Sequence, residues 1–113
     1  MSKLTVTGNG YYTVEQLYQW DTNQVLYIYG VSVSDPEIHI ANGDMARSIV
    51  VTPTVDEKGV IMVGIPNSLL QKASPLKVYI CGNDGSTFKT YYKIDIPVKG
   101  RVKPEDYSLT NDK

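Results

Sequence analysis

Apolar and polar residues alternate along most of the chain, and this pattern predicts β-strands. In residues 25–33, Leu26 and Ile28 share one side of an extended chain, and two tyrosines share the other. Residues 37–42 repeat the pattern, with two isoleucines on one side. We therefore expect two strands that each pack one face against a core.

A longer alternating segment, residues 87–98, follows an Asp-Gly turn at Asp84 and Gly85, which is a strong hairpin signal. We expect its inner face to consist of Phe88, Tyr92, Ile94, Ile96 and Val98. We expect its outer face to consist of Lys89, Tyr91, Lys93 and Asp95. The core should also contain the apolar residues Ile61, Val63 and Ile65.

Proline marks the ends of several predicted strands. Pro36 breaks the chain, and Pro53 interrupts the β-branched residues 48–55, which suits a strand end or a sheet edge. Pro66 introduces residues 67–72, the one segment that predicts a helical turn. The pattern amounts to about seven or eight short strands, so we predict an all-β fold, an antiparallel β-sandwich with one short helical turn.

Tyr79 and Cys81 bear on the type of sandwich. Their Tyr-x-Cys spacing resembles that of the F strand of immunoglobulin domains. The partner cysteine of those domains is missing, since Cys81 is the only cysteine. We predict an immunoglobulin-like sandwich on strand geometry alone.

The alternation ends at Val98, which predicts a different role for the C-terminal residues. We predict a sandwich domain over residues 1–98 and a polar connector or tail over residues 99–113. Pro104 cannot donate a hydrogen bond to a sheet, and the acidic and amide side chains near it favour water. The cations of the segment are expected to be solvated, and they are Lys99, Arg101 and Lys103. A connector that orients a following module and a frayed tail both fit this composition.

Composition and charge argue against several classes of partner. The 113 residues carry a formal net charge of −1, so no large field attracts nucleic acid or an anionic membrane. No apolar run approaches the ~20 residues of a transmembrane helix, and the first residues lack the apolar stretch of a signal peptide. The single cysteine fits synthesis in a reducing cytoplasm.

The chain offers little of what catalysis needs, which is a base, a nucleophile or a metal held close together. His39, the only histidine, lies on the polar side of its predicted strand beside Glu37, and we interpret it as a surface residue. We interpret Cys81 as a small half-buried side chain and not as a nucleophile. Asp21 and Asn23 fit a turn, because calcium requires about six to eight oxygen ligands. We predict a protein that is not an enzyme and that holds no metal or cofactor.

Tyrosine is unusually frequent, with nine residues against one phenylalanine. Its ring joins apolar area to a polar tip, which suits half-exposed strand faces and interfaces. The candidate interaction surface, for a protein or a glycan, consists of Trp20, Tyr27, Tyr29, Tyr91 and Tyr107. The alternative is that Trp20 and Tyr92 belong to the core and that the others are scattered.

Four segments carry a family resemblance. They are residues 17–24 (LYQWDTNQ), 60–70 (VIMVGIPNSLL), 75–80 (PLKVYI) and 101–107 (RVKPEDY). In this order they resemble the N-terminal domains of tail or baseplate proteins from phages and prophages of Gram-positive bacteria. The upper-baseplate proteins of lactic-phage type are the nearest family by this resemblance.

The resemblance implies a non-catalytic structural or adaptor module of a virion tail, made in the bacterial cytoplasm. It implies partners among other tail and baseplate proteins, and association with further copies of the chain is left open. It also implies that the segment 101–107 leads toward a distal host-recognition part. The other function that the residues allow is a small carbohydrate-binding β-sandwich, with Trp20 and exposed tyrosines as stacking platforms.

Overall fold

The chain folds mainly into β-strands. The computed structural model describes residues 2–6, 12–14, 17–33, 35–43 and 45–105. One 3-10 helix spans Asn67–Leu70. The strands formed by the described residues are β1 (Ser2–Val6), β2 (Tyr12–Val14), β3 (Leu17–Tyr18), β4 (Val25–Tyr29), β5 (Glu37–Asn42), β6 (Ile49–Val51), β7 (Thr54–Val55), β8 (Ile61–Gly64), β9 (Leu76–Asp84), β10 (Thr87–Ile96) and β11 (Val98–Lys99).

These strands form three sheets. The first sheet has the order β2-β1-β4-β8-β7, the second has the order β10-β9-β5-β6, and a two-stranded sheet joins β11 to β3. Two pairings are parallel, β1 with β4 and β11 with β3. The other pairings are antiparallel. The first sheet is therefore mixed, whereas the second is antiparallel throughout.

The first and second sheets share one hydrophobic core, and this makes the fold a sandwich. β4 buries Leu26 and Ile28 and leaves its other residues half-buried, as the alternation predicts. β5 buries Ile38 and Ile40 in the same way. Predicted core residues that are buried in the same cluster are Ile61, Val63, Ile65, Ile94, Ile96 and Val98. The predicted all-β class is thereby confirmed.

The predicted helical turn is also confirmed, as the 3-10 helix Asn67–Leu70. Pro66 precedes it with φ −55°, a value that the proline ring fixes. Leu69 and Leu70 are both buried in the core, so the turn is pinned against the sandwich by its own side chains.

Pro53 lies where the chain passes from one layer of the sandwich to the other. Among the described strands, β6 lies at one edge of the second sheet and β7 lies at one edge of the first sheet. Only Thr52 and Pro53 separate them. A proline suits this position because it lacks the N–H that a sheet interior requires. The sequence predicted a strand end or sheet edge here, and the structure has both.

A β-bulge in β10 changes which side chains face the core. Thr90 is the partner of Cys81 and Tyr92 is the partner of Ile80, so Tyr91 is an extra residue between the two pairs. One extra residue moves every side chain on its far side to the opposite face of the sheet. The inner and outer faces of β10 therefore exchange at Tyr91.

Phe88 lies before the bulge, and the prediction that it faces the core is wrong. It pairs with Asn83 and stands on the outer face of the second sheet, where its ring stacks on His39 with centroids 5.8 Å apart. It is 47% exposed. Ile94 and Ile96 follow the bulge and are buried, so the predicted alternation holds only for this later part of the strand.

Asn42 ends β5 as a buried polar residue. Its amide group donates hydrogen bonds to the carbonyl oxygens of Leu69 and Lys72, at 2.6 and 3.2 Å. Its own carbonyl accepts a hydrogen bond from the Ser74 hydroxyl. Because Asn42 is only 4% exposed, water competes little for these bonds. They tie the 3-10 helix and the loop after it to the end of the second sheet.

The immunoglobulin-like arrangement stays a prediction. Tyr79 and Cys81 lie in β9, which is an inner strand of the second sheet between β10 and β5. The parallel pairing of β1 with β4 gives the opposite sheet a mixed character.

Truncation of Ile94 tests the core. Ile94→Ala should lower the free energy of unfolding by about 2–5 kcal/mol, because it removes buried methyl and methylene groups and leaves a cavity. The measurement is urea unfolding followed by circular dichroism. The control is Val50→Ala, at a position that is 57% exposed, where the change should stay below about 0.5 kcal/mol. Equal losses in the two variants would contradict this core.

Removal of the Asn42 amide tests the buried polar contact. Asn42→Ala should lower the free energy of unfolding by about 1–3 kcal/mol, because buried carbonyl oxygens lose their donor. Asn83→Ala is the matched control at an exposed position of β9 and should cost less than about 0.5 kcal/mol. An Asn42 variant as stable as the wild type would show that the amide is not a structural tie.

Candidate functional site

Strand β3 is followed by a turn at residues 19–20, and the side chains of Asp21 and Asn67 hold the chain around this turn in place. The backbone N–H of Tyr18 donates to Asp21 Oδ2 at 3.2 Å, and the N–H of Asp21 donates back to the carbonyl of Tyr18 at 3.2 Å. The N–H of Asn23 donates to Oδ1 of Asn67 at 2.9 Å. The carboxylate of Asp21 makes the turn hydrogen bond that the sequence predicts, whereas Asn23 contributes its backbone N–H and a left-handed φ of +57°.

Trp20 lies in this turn with an uncommon backbone conformation. Its φ is +73°, in the left-handed region that bulky residues rarely occupy. The surrounding structure holds it there, since the N–H of Trp20 donates to the carbonyl of Leu70 at 2.7 Å. Strained positions of this kind cluster at functional sites, where they aim a side chain. Trp20 is half-buried and lies outside the hydrophobic core.

The indole of Trp20 contacts the C-terminal segment of the chain. Its Nε1–H donates to the carbonyl of Arg101 at 3.2 Å. The ammonium of Lys103 lies 5.3 Å from the ring centroid, within the range of a cation–π contact. Beside these contacts, the N–H of Gln19 donates to the carbonyl of Lys99 at 2.7 Å. We call this group the Trp20 corner, and it comprises residues 17–24, 67–71 and 98–103.

The Trp20 corner shows that the first part of the C-terminal segment is attached to the sandwich. Val98 is buried and Lys99 follows it in β11, which pairs in parallel with Leu17 and Tyr18 of β3. The predicted boundary after Val98 therefore falls inside a strand, and a connector would begin beyond Lys99. Lys103 is exposed as expected, yet it is held over an aromatic ring and is not simply solvated.

Four of the five predicted interaction residues lie among the residues that the structure describes. Trp20 is at the corner just described. Tyr27 and Tyr29 are half-buried on the outer face of the first sheet. Tyr91 is 40% exposed at the bulge of the second sheet. Tyr107 lies outside the described residues. Tyr27 and Tyr29 thus share one face of β4, whereas Tyr91 lies in the other sheet.

The outer face of the second sheet carries a cluster of four side chains, of which the sequence indicated only the neighbours His39 and Glu37. His39 Nε2 lies 2.7 Å from Glu37 Oε1, and the Ser48 hydroxyl lies 3.5 Å from His39 Nδ1. Phe88 stacks on the imidazole. The pairing of His39 with Glu37 could be found from their in-phase positions, but the contact with Phe88 depends on the bulge.

This cluster has the acid, imidazole and hydroxyl order of a nucleophilic triad, but its geometry favours a structural role. A separation of 3.5 Å between Ser48 and His39 is long for a hydrogen bond that would activate a hydroxyl. The stacked Phe88 also occupies one face of the ring. We therefore assign the cluster to the packing of the sheet surface.

Cys81 is more deeply buried than expected. The sequence predicted a half-buried side chain, and the thiol residue is 1% exposed with its sulfur 3.6 Å from the Thr90 hydroxyl. A reactive cysteine needs an accessible thiolate. The geometry therefore favours the interpretation of Cys81 as a packing residue.

Two further features concern metals and membranes. In the described residues, no three or more His, Cys, Asp or Glu side chains are grouped so that they could hold a metal ion. Within the same part of the chain, no helix is long and apolar enough to cross a membrane.

Comparison with known proteins identifies no family for the chain. No protein-family model matches the chain, and no curated protein matches its sequence. The resemblance to tail proteins therefore stays a prediction from the sequence.

A chain that ends at Gly100 tests the Trp20 corner. It keeps β11 but loses the Arg101 and Lys103 contacts, so its melting temperature should fall by only a few degrees. Roughly 1 kcal/mol shifts the melting temperature of a domain of this size by about 4–8 °C. Trp20 is the only tryptophan, so its fluorescence should shift to longer wavelength as the ring becomes hydrated.

Two full-length variants serve as controls for the shortened chain. Lys103→Ala should give part of the fluorescence shift, and Lys58→Ala, in an exposed turn of the first sheet, should give none. If the shortened chain does not fold, the segment after Gly100 is part of the structural framework. If its fluorescence equals that of the wild type, the indole does not make these contacts in solution.

Proposed function

We propose that this protein is a non-catalytic structural adaptor of a phage or prophage tail or baseplate, part of the virion and made in the bacterial cytoplasm. In this role the sandwich docks on other tail proteins, and the segment after Lys99 connects it to a distal host-recognition part. The single observation that supports the proposal best is the attachment of that segment to the Trp20 corner.

An adaptor has to fix the direction in which the chain leaves its domain. At the Trp20 corner three different contacts act on one short segment: the β3–β11 pairing, the Arg101 carbonyl and the Lys103 ammonium. A single surface contact of this kind would contribute only about 0.5–1 kcal/mol, as cation–π contacts do at exposed sites. Several contacts along one segment also restrict the direction in which that segment leaves the domain. A freely moving tail would not have such a fixed direction.

The outer faces of the sandwich also suit contacts with proteins. They carry half-buried tyrosines such as Tyr27, Tyr29 and Tyr79, and tyrosine is enriched in protein interfaces. The net charge of −1 gives no general attraction for nucleic acid or an anionic membrane. These surfaces suit protein partners, and in the proposed role those partners are neighbouring tail proteins.

A carbohydrate-binding module is the second candidate. Tyr18 and Tyr91 favour it, because they are 43% and 40% exposed and so offer ring faces for sugar stacking. Trp20 does not favour it, because Lys103 lies over its ring and its N–H is already bonded to the Arg101 carbonyl. We therefore rank this function below the adaptor.

Purified phage particles from the source bacterium test the adaptor role. We expect the protein to sediment with the particles through a density gradient, and antibodies against it to label the tail end in electron micrographs. In a strain that lacks the gene, the wild-type copy should restore particles that carry the protein. Lys103→Glu should be incorporated less well than Lys58→Glu, because only the first variant disturbs the Trp20 corner. Complete infectious particles without the protein would refute the proposal.

Titration with a panel of glycans tests the second candidate. Binding at a stacking platform near Trp20 or Tyr18 should change tryptophan fluorescence with a saturable dependence on glycan concentration. If the protein shows no such response and is present in virions, the adaptor role stands alone. If it binds a glycan and is absent from virions, the carbohydrate-binding role replaces it.

A further inference from the structure

Asn42 is followed by Gly43, and an asparagine before a glycine is a chemically labile pair. In an opened chain the backbone nitrogen of the glycine can attack the side-chain amide of the asparagine, because glycine has no Cβ to obstruct the close approach. The sequence has one other pair of this kind, Asn9-Gly10. Asn42 and Gly43 are both described by the structure, so the reactivity of their pair can be judged from their contacts.

The fold requires both residues of this pair. Asn42 supplies the buried amide that donates to the carbonyl oxygens of Leu69 and Lys72. Gly43 has a φ of +60°, and a Cβ at this position would lie 2.9 Å from the hydroxyl oxygen of Ser74. Any other residue at position 43 would meet both the left-handed backbone and this close contact. The labile pair is therefore a consequence of the way in which β5 ends.

In the native structure, each of the two reacting groups is committed to another partner. Attack requires the nitrogen of Gly43 to approach Cγ of Asn42 in one particular orientation. The N–H of Gly43 instead donates to the carbonyl of Pro75 at 3.1 Å. Asn42 pairs with Leu76 in the ladder of β5 and β9, and its side chain is bonded to carbonyls of residues 69–74. The reaction therefore needs the end of β5 to open first.

We propose that the native fold protects Asn42 from deamidation, and that deamidation of an opened chain prevents the Trp20 corner from forming again. In the first step the backbone nitrogen of Gly43 loses its proton and bonds to Cγ of Asn42. The bond from Cγ to the side-chain nitrogen breaks, and that nitrogen leaves as ammonia with the proton. Water then opens the cyclic imide at one of its two carbonyls, which gives aspartate or isoaspartate.

The product cannot make the contacts that Asn42 makes. Aspartate is ionised near neutral pH and has no N–H, so the carbonyls of Leu69 and Lys72 lose their donor and face a negative charge. Isoaspartate also adds a methylene to the main chain of β5, which disturbs the pairing with Leu76. Lys72 is exposed, so attraction between its ammonium and the new carboxylate is weakened by water and offsets little of this cost.

The effect extends to the Trp20 corner through the 3-10 helix. The carbonyl of Leu70, which accepts the N–H of Trp20, lies between the two carbonyls that Asn42 holds. When that segment is no longer tied to β5, the acceptor of Trp20 loses its fixed position. A chain that has stayed open long enough to react therefore cannot restore the native attachment of the segment after Lys99.

Peptide mapping of the wild type by mass spectrometry tests the protection of Asn42. The chain is kept at one alkaline pH and one temperature, in native buffer and in enough urea to unfold it, and is sampled over time. In urea, Asn42 should deamidate about as fast as Asn9, which also precedes a glycine. In native buffer, Asn42 should deamidate at least about tenfold more slowly than in urea, because only the open form reacts. Equal rates for Asn42 in the two solutions would overturn the protection.

The stability of the deamidated chain tests the second part of the proposal. Chains deamidated at Asn42 alone carry an extra negative charge, so ion exchange separates them after their return to native buffer. Their urea midpoint should lie below that of unreacted chains taken through the same urea step, and the fluorescence of Trp20 should lie at longer wavelength. Failure of only the deamidated chains to refold would be the stronger form of this result.

Two variants separate the position of the new charge from the charge itself. Asn42→Asp should lower the urea midpoint and shift the Trp20 fluorescence as deamidation does. Asn83→Asp adds the same charge at an exposed position of β9 and should do neither. A chain deamidated at Asn42 with the midpoint and fluorescence of the wild type would overturn the proposal. Equal losses in Asn83→Asp and Asn42→Asp would overturn it as well, because charge alone would then explain the effect.

Discussion

The amide of Asn42 is the contact on which the arrangement of the C-terminal segment depends. It holds the carbonyl oxygens of Leu69 and Lys72 at the end of β5. The next carbonyl in that segment, from Leu70, accepts the N–H of Trp20. The indole of Trp20 in turn contacts Arg101 and Lys103. A single buried side chain therefore supports a series of contacts that runs from the second sheet to the far end of the described chain.

This series also explains why Trp20 can keep its left-handed backbone conformation. A bulky residue at φ +73° is unfavourable by itself and persists only when its surroundings over-determine it. The Leu70 carbonyl fixes the backbone of Trp20, and the Asn67 side chain fixes Asn23 three residues later. Both acceptors belong to the segment that Asn42 ties down. The strain at the Trp20 corner is thus supported by hydrogen bonds made in the interior.

Much of the framework could be predicted from the sequence, because it follows from local periodicity. Alternation identified β4 and β5 and their buried residues, and Pro66 located the 3-10 helix. Phe88 was assigned to the wrong face because a bulge depends on the register between two strands, which alternation in one strand does not reveal. The parallel pairing of β1 with β4 is likewise a property of tertiary arrangement.

The candidate site was less predictable than the framework. Trp20 was predicted to be an interaction residue, but its contact with Lys103 joins positions 83 residues apart and leaves no local pattern. Asn42 gives a similar lesson, since a buried asparagine and a turn asparagine look alike in sequence. Tyr27, Tyr29 and Tyr91 were grouped by residue type alone, and residue type carries no information about which sheet a strand joins.

The β9–β10 hairpin extends past the point where β5 last pairs with β9, at Glu37 and Cys81. Beyond that point the two strands pair with each other, Phe88 stacks on His39 of β5, and residues 85–90 are exposed. Residues 85–87 at the tip lie outside the core cluster, and Gly85 holds the turn with a φ of +66°. The tip is therefore a suitable place to insert a peptide tag or to vary a recognition loop, because its exposed residues contribute nothing to the hydrophobic core.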